Sequence, residues 1–303
     1  MASVSVIIPS FNSGAFLARA VDSVLAQTFA DFEIVVVDDG SYEPPVEIGE
    51  RDDRIRLITQ RNSGVSVARN VGVCAARADL IAFLDHDDEW LASKLELQLS
   101  LVDSAPHAAF WCTGFDWVHE DSVIPSDPAP PTYRGLLSTQ SVLLSSAIVR
   151  KSDYWRVGGH DPLLSQMQDW DLFLKMAMDG RRPELSTARL VRYHLHGLNA
   201  SRNYRAAAAE RFSILDAHER RARRSDDIET IAAIRRGRRR TRELFAHQAV
   251  DATRADLAQS RRRAAAGHFA YASGMSPRIA AASIGQTAAK KLGTRGHDDG
   301  TAT

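Results

Sequence analysis

The chain has 303 residues, 44% of them hydrophobic and 25% charged, a composition that excludes wholesale disorder, a collagen-like repeat and a disulfide-stapled miniprotein. Its 38 basic and 38 acidic side chains balance overall. The balance is uneven along the chain, with a net −10 in residues 1–201, +8 in 202–263 and +2 in 264–303, as expected of an acidic body carrying a basic C-terminal part.

Residues 3–8 read as a strand closed by Pro9, and Asn12 or Ser13 is placed to cap a helix over about 14–27. Residues 32–37 form a second apolar run that ends in the turn signal Asp38-Asp39-Gly40-Ser41. A short strand over 54–58 follows, then a helix over 64–76 capped by Ser63. Leu80–Leu84 is a fourth strand, ending in Asp85-His86-Asp87-Asp88, with a helix over 92–104 and a strand over 108–117 after it. Continuous apolar strands alternating with amphipathic helices predict an α/β fold: a mostly parallel sheet flanked by helices. Residues 121–135 read as a Pro-rich loop, 136–149 as a further apolar stretch, 169–179 as a helix and 185–196 as extended. From 203 to about 292 the pattern is Ala- and Arg-rich and helical, and 293–303 reads as a disordered tail. The expected division is therefore a domain over 1–202, a helical region over 203–292 and the tail.

Two cysteines, Cys74 and Cys112, are too few for a disulfide framework or a four-thiolate metal site and fit a reducing compartment. No run of 18 apolar residues suggests a membrane span, and the N-terminus opens on a strand with no signal-peptide pattern, so a cytoplasmic protein is expected.

In parallel sheets ligands bind outside the carboxyl ends of the strands, and the acidic clusters of this chain fall at two such ends. Three carboxylates in Asp85-His86-Asp87-Asp88 repel one another unless a cation compensates. Hard oxygen donors suit Mg²⁺ or Mn²⁺, which bind through one or two carboxylates plus substrate phosphates. The plainer alternative is a solvated loop that caps the next helix. Asp38 and Asp39 are either an Asx turn or acceptors for a base N–H or ribose hydroxyl. The helix after Ser63 presents free N–H groups to an anion, with Arg69 able to reach a phosphate. Asp169 opens a helix, as a cap or as a general base. No G-x-G-x-x-G or P-loop is present, which removes the best sequence support for hydride transfer and P-loop ATP hydrolysis.

Taken in order, Val6-Ile-Ile-Pro-Ser-Phe-Asn12, Gln27-Thr28-Phe29, Val35-Val-Val-Asp-Asp-Gly-Ser41, Asn62-x-Gly-x-Ser-x-Ala-Arg-Asn-x-Gly72, Phe83-Leu-Asp-His-Asp-Asp88 and Gln168-Asp-Trp-Asp-Leu-Phe-Leu174 resemble the family 2 inverting glycosyltransferases of GT-A fold over residues 3–200. The resemblance implies transfer of a sugar from a UDP-, dTDP- or GDP-linked donor to a hydroxyl of a glycan, lipid-linked or protein acceptor, in surface polysaccharide or glycoconjugate synthesis. It makes Asp169 the catalytic base and assigns Pro9, Asn12, Asp38, Asp39, Arg69 and Asp85 to the nucleotide and donor. Asp87 and Asp88, with His196 from a late His-containing stretch, become candidates for a Mn²⁺ or Mg²⁺ site. Gln168 departs from the Glu that the family commonly has before its base.

A sugar nucleotidyltransferase shares the broad architecture but normally has a Gly-rich loop after the first strand, which residues 9–15 lack. A degenerate binding module is the non-enzymatic alternative, and the retained carboxylates speak against it. The runs Arg220–Arg224, Arg235–Arg240 and Arg261–Arg263 suit either a solvated helical face or contact with anionic lipid at the inner membrane face. Nucleic acid is disfavoured because no aromatic platform accompanies the arginines.

Overall fold

The computed structural model describes residues 2–119, 122–195 and 203–283. The chain forms two compact units, Met1–Ala200 and Ser201–Thr303. His196 and the tail over 293–303 lie outside the described residues.

The first unit opens with β1 (Val4–Ser10), α1 (Ala15–Leu25), β2 (Phe32–Asp38), α2 (Val46–Gly49), β3 (Ile55–Thr59), α3 (Val65–Ala75) and β4 (Leu80–Phe83). The two-residue β5 (Glu89–Trp90) and α4 (Lys94–Ser104) follow. Next come β6 (Trp111–His119), β7 (Ser122–Pro125), α5 (Tyr133–Ser138), β8 (Ile148–Arg150), α6 (Lys151–Arg156), α7 (Gln168–Ala177) and β9 (Glu184–His194). The strands lie in the order β3-β2-β1-β4-β8-β6-β9-β5, with β7 on β6. The expected parallel arrangement holds for β3-β2-β1-β4. Beyond β4 the sheet is mixed: β8 runs antiparallel to β4 and β6, whereas β6 and β9 are parallel. The short β8, which the apolar stretch 136–149 did not single out, separates the two halves. The segment read as an irregular loop holds β7 and the start of α5.

Every residue of β1 and β2 is buried, because helices cover both faces of a parallel sheet. Burying each Val or Ile there contributes about 1.5–3 kcal/mol. Helix α3 lies so close to β1 that a Cβ on Gly72 would meet Ile7 Cγ2 at 2.4 Å. The register aligns Ser10 with Asp38 and Asp38 with Thr59, so the strand ends bearing Pro9, Asp38–Asp39 and Asp85 share one edge.

Lys94, at the start of α4, is fully buried. Its Nζ has no hydrogen-bond partner and stacks 3.6 Å above the centre of the Trp90 ring. Burial holds the amine well below the usual lysine range. Folding therefore releases a proton from this group, and the stability it costs is recovered as pH rises from the depressed folded value toward the unfolded one. Lys94→Met fills similar volume with no polar atom. It should stabilise the first unit by ~1–3 kcal/mol at neutral pH and flatten the rise in stability toward alkaline pH. Urea unfolding followed by tryptophan fluorescence reads this directly, since Trp90, Trp111, Trp117, Trp155 and Trp170 all lie in that unit.

The second unit consists of α8 (Tyr204–Arg224), α9 (Ile228–Ala258) and α10 (Arg262–Met275). Small residues at the contacts, among them Ala207, Ala208, Ala246, Ala249, Ala265 and Ala272, are buried and allow close helix packing. Asn203 and Asp227 cap α8 and α9 through their side-chain oxygens. No helix among the described residues is long and apolar enough to cross a membrane.

Candidate active site

The chain leaves β1 through Pro9, Ser10 and Asn12. Asn12 adopts φ +49° and does not cap α1, whose N-cap is Gly14. Its backbone N–H donates instead to Ser41 Oγ (2.8 Å), and its Oδ1 accepts from Tyr42 N (3.0 Å). Asn12 thus ties the end of β1 to the turn after β2. In that turn Asp38 is fully buried; Oδ1 accepts from Ser41 Oγ and Ser41 N, and Oδ2 has no partner.

Asp39 corrects a second capping expectation. Ser63 does not cap α3, whose N-cap Gly64 has no side chain. The Asp39 carboxylate supplies the acceptor from outside the helix, taking N–H groups of Ser63 and Gly64 at 2.8 Å each and Gln60 Nε2 at 2.7 Å. A carboxylate at a helix N-terminus is favoured by the free N–H groups and the macrodipole. Three of the acceptor positions expected to serve a nucleobase are therefore occupied by the protein's own loop.

The acidic loop after β4 is built around Arg69 and Ser145. Arg69, 3% exposed, donates from Nη1 to Asp169 Oδ1 (2.7 Å) and from Nη2 to Asp85 Oδ1 (2.6 Å). One guanidinium fork thereby joins the start of α7 to the end of β4, a use for which Arg geometry is suited and Lys geometry is not. Burial works against the Arg69 charge, but Asp169 and Asp85 outweigh it and raise its proton affinity. Asp85 and Asp169 keep side-chain exposures of 24% and 21%, so both remain reachable by a ligand. Burial pushes the Asp85 carboxyl up against the pull of Arg69. For Asp169, burial acts upward too, yet Arg69 and the His160 hydrogen bond prevail and hold it below the ordinary carboxylate value.

Asp88 points inward. It is fully buried, with Oδ2 accepting from Ser145 Oγ (2.5 Å) and Oδ1 from His194 N (3.4 Å). Burial, together with repulsion from Asp85 and Asp87, drives its carboxyl well above the usual range. Ser145 Oγ also accepts from Asp85 N (3.1 Å), so one serine pins both ends of the loop. Asp87 is half-buried, and its backbone carbonyl accepts from Arg19 Nη2 (2.8 Å). The Tyr193 hydroxyl is raised by burial and then by the charges of Asp88, Asp85, Asp87 and Asp169. The structure thus brings Arg69, Asp85 and Asp169 into direct contact and sets Asp88 behind them. Asn12, Asp38 and Asp39 form a second group at the neighbouring strand end.

Sequence reading missed Ser145, Tyr193, Asn70 and the pair Tyr154–His160. Asn70 lies within the motif Asn62–Gly72, and the Gly158-Gly159 doublet before His160 was a second signal, since paired glycines mark unusual backbone or close approach.

Residues 5–142 match the family described as glycosyl transferase family 2. The chain is 28% identical over 186 residues to an uncharacterized glycosyltransferase of Haemophilus influenzae, 58% of this chain and 62% of that protein. It is 30% identical over 230 residues to the uncharacterized glycosyltransferase YibD of Escherichia coli, covering 67% and 64%. Over 139 residues it is 36% identical to the Escherichia coli UDP-Glc:alpha-D-GlcNAc-diphosphoundecaprenol beta-1,3-glucosyltransferase WfgD, covering 44% and 54%. The chain spans less than two thirds of each of these relatives. Among solved structures, S. aureus TarS residues 1–349 in complex with UDP-GlcNAc superposes with TM-score 0.60 at 16% identity, covering 90% of this chain and 91% of that one. With residues 5–142 matching glycosyl transferase family 2 and the sheet superposing on TarS, that segment is similar to the family and the fold is of the GT-A type.

Proposed function

We propose that the chain transfers a glycosyl group from a nucleoside diphosphate sugar to an acceptor hydroxyl with inversion at the anomeric carbon. The observation that carries this reading is the Arg69 bridge. It joins the Asp85 loop, which faces the donor, to Asp169, a partly exposed carboxylate held ionised.

In this mechanism Asp169 accepts the proton of the acceptor hydroxyl. The oxygen forms its bond to the anomeric carbon as the bond from that carbon to the β-phosphate oxygen breaks, and the electron pair leaves with the nucleoside diphosphate. A single in-line attack inverts the centre and needs no covalent nucleophile. Asn12 and the buried Asp38–Asp39 turn shape the nucleotide end, and Pro9 sets the exit of β1 toward it.

The donor chemistry of the loop fits a divalent cation. Asp85, Asp87 and Asp88 are hard oxygen donors whose mutual repulsion a cation relieves. Among the described residues no group of three protein ligands is assembled, and Mg²⁺ or Mn²⁺ held by one or two carboxylates plus donor phosphates needs none. Asp87 and Asp85 would hold the ion, while Asp88 keeps the loop in place. When bound, the ion stabilises charge on the departing diphosphate as a Lewis acid.

WfgD is named for a UDP-linked donor and a diphosphoundecaprenol-linked acceptor, and TarS has been crystallised with UDP and UDP-GlcNAc. These support a uridine donor and a lipid-linked acceptor as the first pair to test. The test is calorimetric titration with UDP, dTDP and GDP, each with and without Mn²⁺. Binding of one nucleotide that requires Mn²⁺ and is lost in Asp87→Ala is the expected result. A folded protein that binds none of them overturns the reading.

A lipid-linked acceptor also gives the basic second unit a role at the inner face of a cytoplasmic membrane. Arg220, Arg221, Arg224, Arg235 and Arg236 are exposed on α8 and α9, and each basic residue near an anionic surface contributes about 1 kcal/mol. The protein should co-sediment with phosphatidylglycerol vesicles at low salt. Binding should fall at high salt and when Arg220, Arg221, Arg235 and Arg236 are changed together to Gln, and equal binding to neutral vesicles would refute the electrostatic contact.

A further inference from the structure

We propose that His160, itself fixed by Tyr154 and Asn70, is a positioning residue that orients the Asp169 carboxylate for proton transfer. The inference rests on the reading of Asp169 as the base.

His160 follows α6 and is completely buried. Its Nε2 lies 3.2 Å from Asp169 Oδ1, and its Nδ1 lies 2.8 Å from the Tyr154 hydroxyl. The backbone is held as firmly as the ring. The His160 N–H donates to Asn70 Oδ1 (3.1 Å), and the His160 carbonyl accepts from Asn70 Nδ2 (2.8 Å). Phe83 meets the imidazole edge-on, with ring centres 5.5 Å apart and planes at 82°. Gly159 has φ +66°, and a Cβ there would lie 2.7 Å from Asn70 Oδ1 and 2.9 Å from the Tyr154 ring. That glycine is what allows Asn70, Tyr154 and His160 to close on one another.

The pattern of donors fixes the tautomer. Asn70 cannot be flipped, because its Nδ2 faces a carbonyl and its Oδ1 faces an N–H. An ionised Asp169 only accepts, so Nε2 carries the proton that faces it. Burial disfavours the imidazolium, which leaves Nδ1 as an acceptor. The Tyr154 hydroxyl faces both Asn70 Oδ1 and Nδ1, and it is the donor within reach of that nitrogen. The result is a relay in which Nε2–H donates to Asp169 while the Tyr154 hydroxyl, shared with Asn70 Oδ1, sits against Nδ1.

This relay decides which carboxylate oxygen works. Oδ1 receives Arg69 Nη1 and His160 Nε2 from two directions. No hydrogen bond among the described residues reaches Oδ2, which is left for the acceptor hydroxyl. A carboxylate anchored through one oxygen cannot rotate the other out of line, and misplacement by about 1 Å can cost on the order of 10²-fold in rate. The charged and titratable groups facing the His160–Asp169 pair are Arg69 from α3, Asp85 after β4, Tyr154 from α6, Lys175 from α7 and Tyr193 from β9.

The first test needs no substrate. Nitrogen-15 spectra of the full chain, with the His160→Phe variant identifying its signals among the ten histidines, should show a neutral ring protonated at Nε2. A ring protonated at Nδ1 or at both nitrogens overturns the inference. The second test is kinetic, using the glucose-linked form of the nucleotide that the titration identifies and a GlcNAc-diphosphoundecaprenol acceptor. His160→Phe should lower kcat by on the order of 10²-fold, with nucleotide affinity unchanged. Loss of the Nε2–H donor removes a stabiliser of the ionised carboxylate, so the acidic limb of the pH profile should move up. His160→Gln, whose amide N–H can face Asp169, should recover part of the rate. Combining His160→Phe with Asp169→Asn should slow transfer no further than Asp169→Asn alone. If Asp169→Asn is inactive while His160→Phe keeps both wild-type rate and wild-type acidic limb, the positioning role is wrong and the base stands. If Asp169→Asn itself transfers normally, the base reading fails first. Should His160→Phe not fold, Tyr154→Phe removes only the hydroxyl; it should mix the two tautomers and lower kcat, and an unchanged tautomer with unchanged rate counts against the relay.

Discussion

Asp169→Asn should reduce glycosyl transfer by about 10²–10⁴-fold, the range associated with loss of a general base, while nucleotide affinity stays close to that of the wild type. The amide is nearly isosteric. Its oxygen can still accept from Arg69 and His160 at the Oδ1 position, so the bridge to Asp85 and the donor loop persists. What disappears is the capacity to take a proton at Oδ2. The wild-type pH profile carries a matching signature. Arg69 and His160 overcome burial and hold the Asp169 carboxyl below its ordinary value, so the acidic limb of kcat/KM should lie below the usual carboxylate range and activity should be flat above it. Product formation at saturating donor, with calorimetric nucleotide binding on the same preparation, separates the two effects. Near-normal transfer by the variant would show that another group takes the proton.

The parallel half of the fold was legible because buried strands leave continuous apolar runs, and Ile7, Val36 and Ile81 sit within such runs. The mixed half was harder to read. β8 has three residues and β5 two, too short for any periodicity to emerge. At the site, sequence order placed the carboxylates at strand ends but not the partners that aim them. Ser63 and Asn12 look like caps by type and position, yet Asp39 caps α3 from the end of the neighbouring β2 and Asn12 ties a turn. A capping acceptor needs only to reach the free N–H groups, and a distant segment can supply it as well as the preceding residue. His160 was invisible for a related reason. Its role depends on Asn70, ninety positions away along the chain, and a lone histidine before an Asp-Pro pair carries no periodic signal. The Arg69 contact with Asp169 spans one hundred positions, although both residues fall within motifs that the sequence displays.

Arg69→Met should destabilise the first unit by ~3 kcal/mol, at the lower end of the range for breaking a buried ion pair because Asp85 and Asp169 keep partial exposure. The substitution leaves two carboxylates facing the space of one lost cation. With that cation gone, burial and mutual repulsion dominate, and both folded-state pKa values rise above their unfolded values. Native protein then binds more protons than unfolded protein in the window between those values, so the variant's stability falls as pH rises through it. The wild-type contribution of Asp169 has the opposite sign: its carboxyl is depressed, so its stabilisation is present above the unfolded pKa and lost as pH falls through the folded one. The difference between the two proteins should therefore be largest at neutral pH and shrink on acidification, as tryptophan-monitored urea unfolding across pH would show. Arg69→Lys separates charge from geometry. A single ammonium cannot donate a planar fork to both carboxylates, so it should restore much of the stability but little of the transfer rate. Equal rescue of both would mean that Arg69 acts through its charge alone, and that the spacing it imposes between the donor loop and the base is not what the reaction requires.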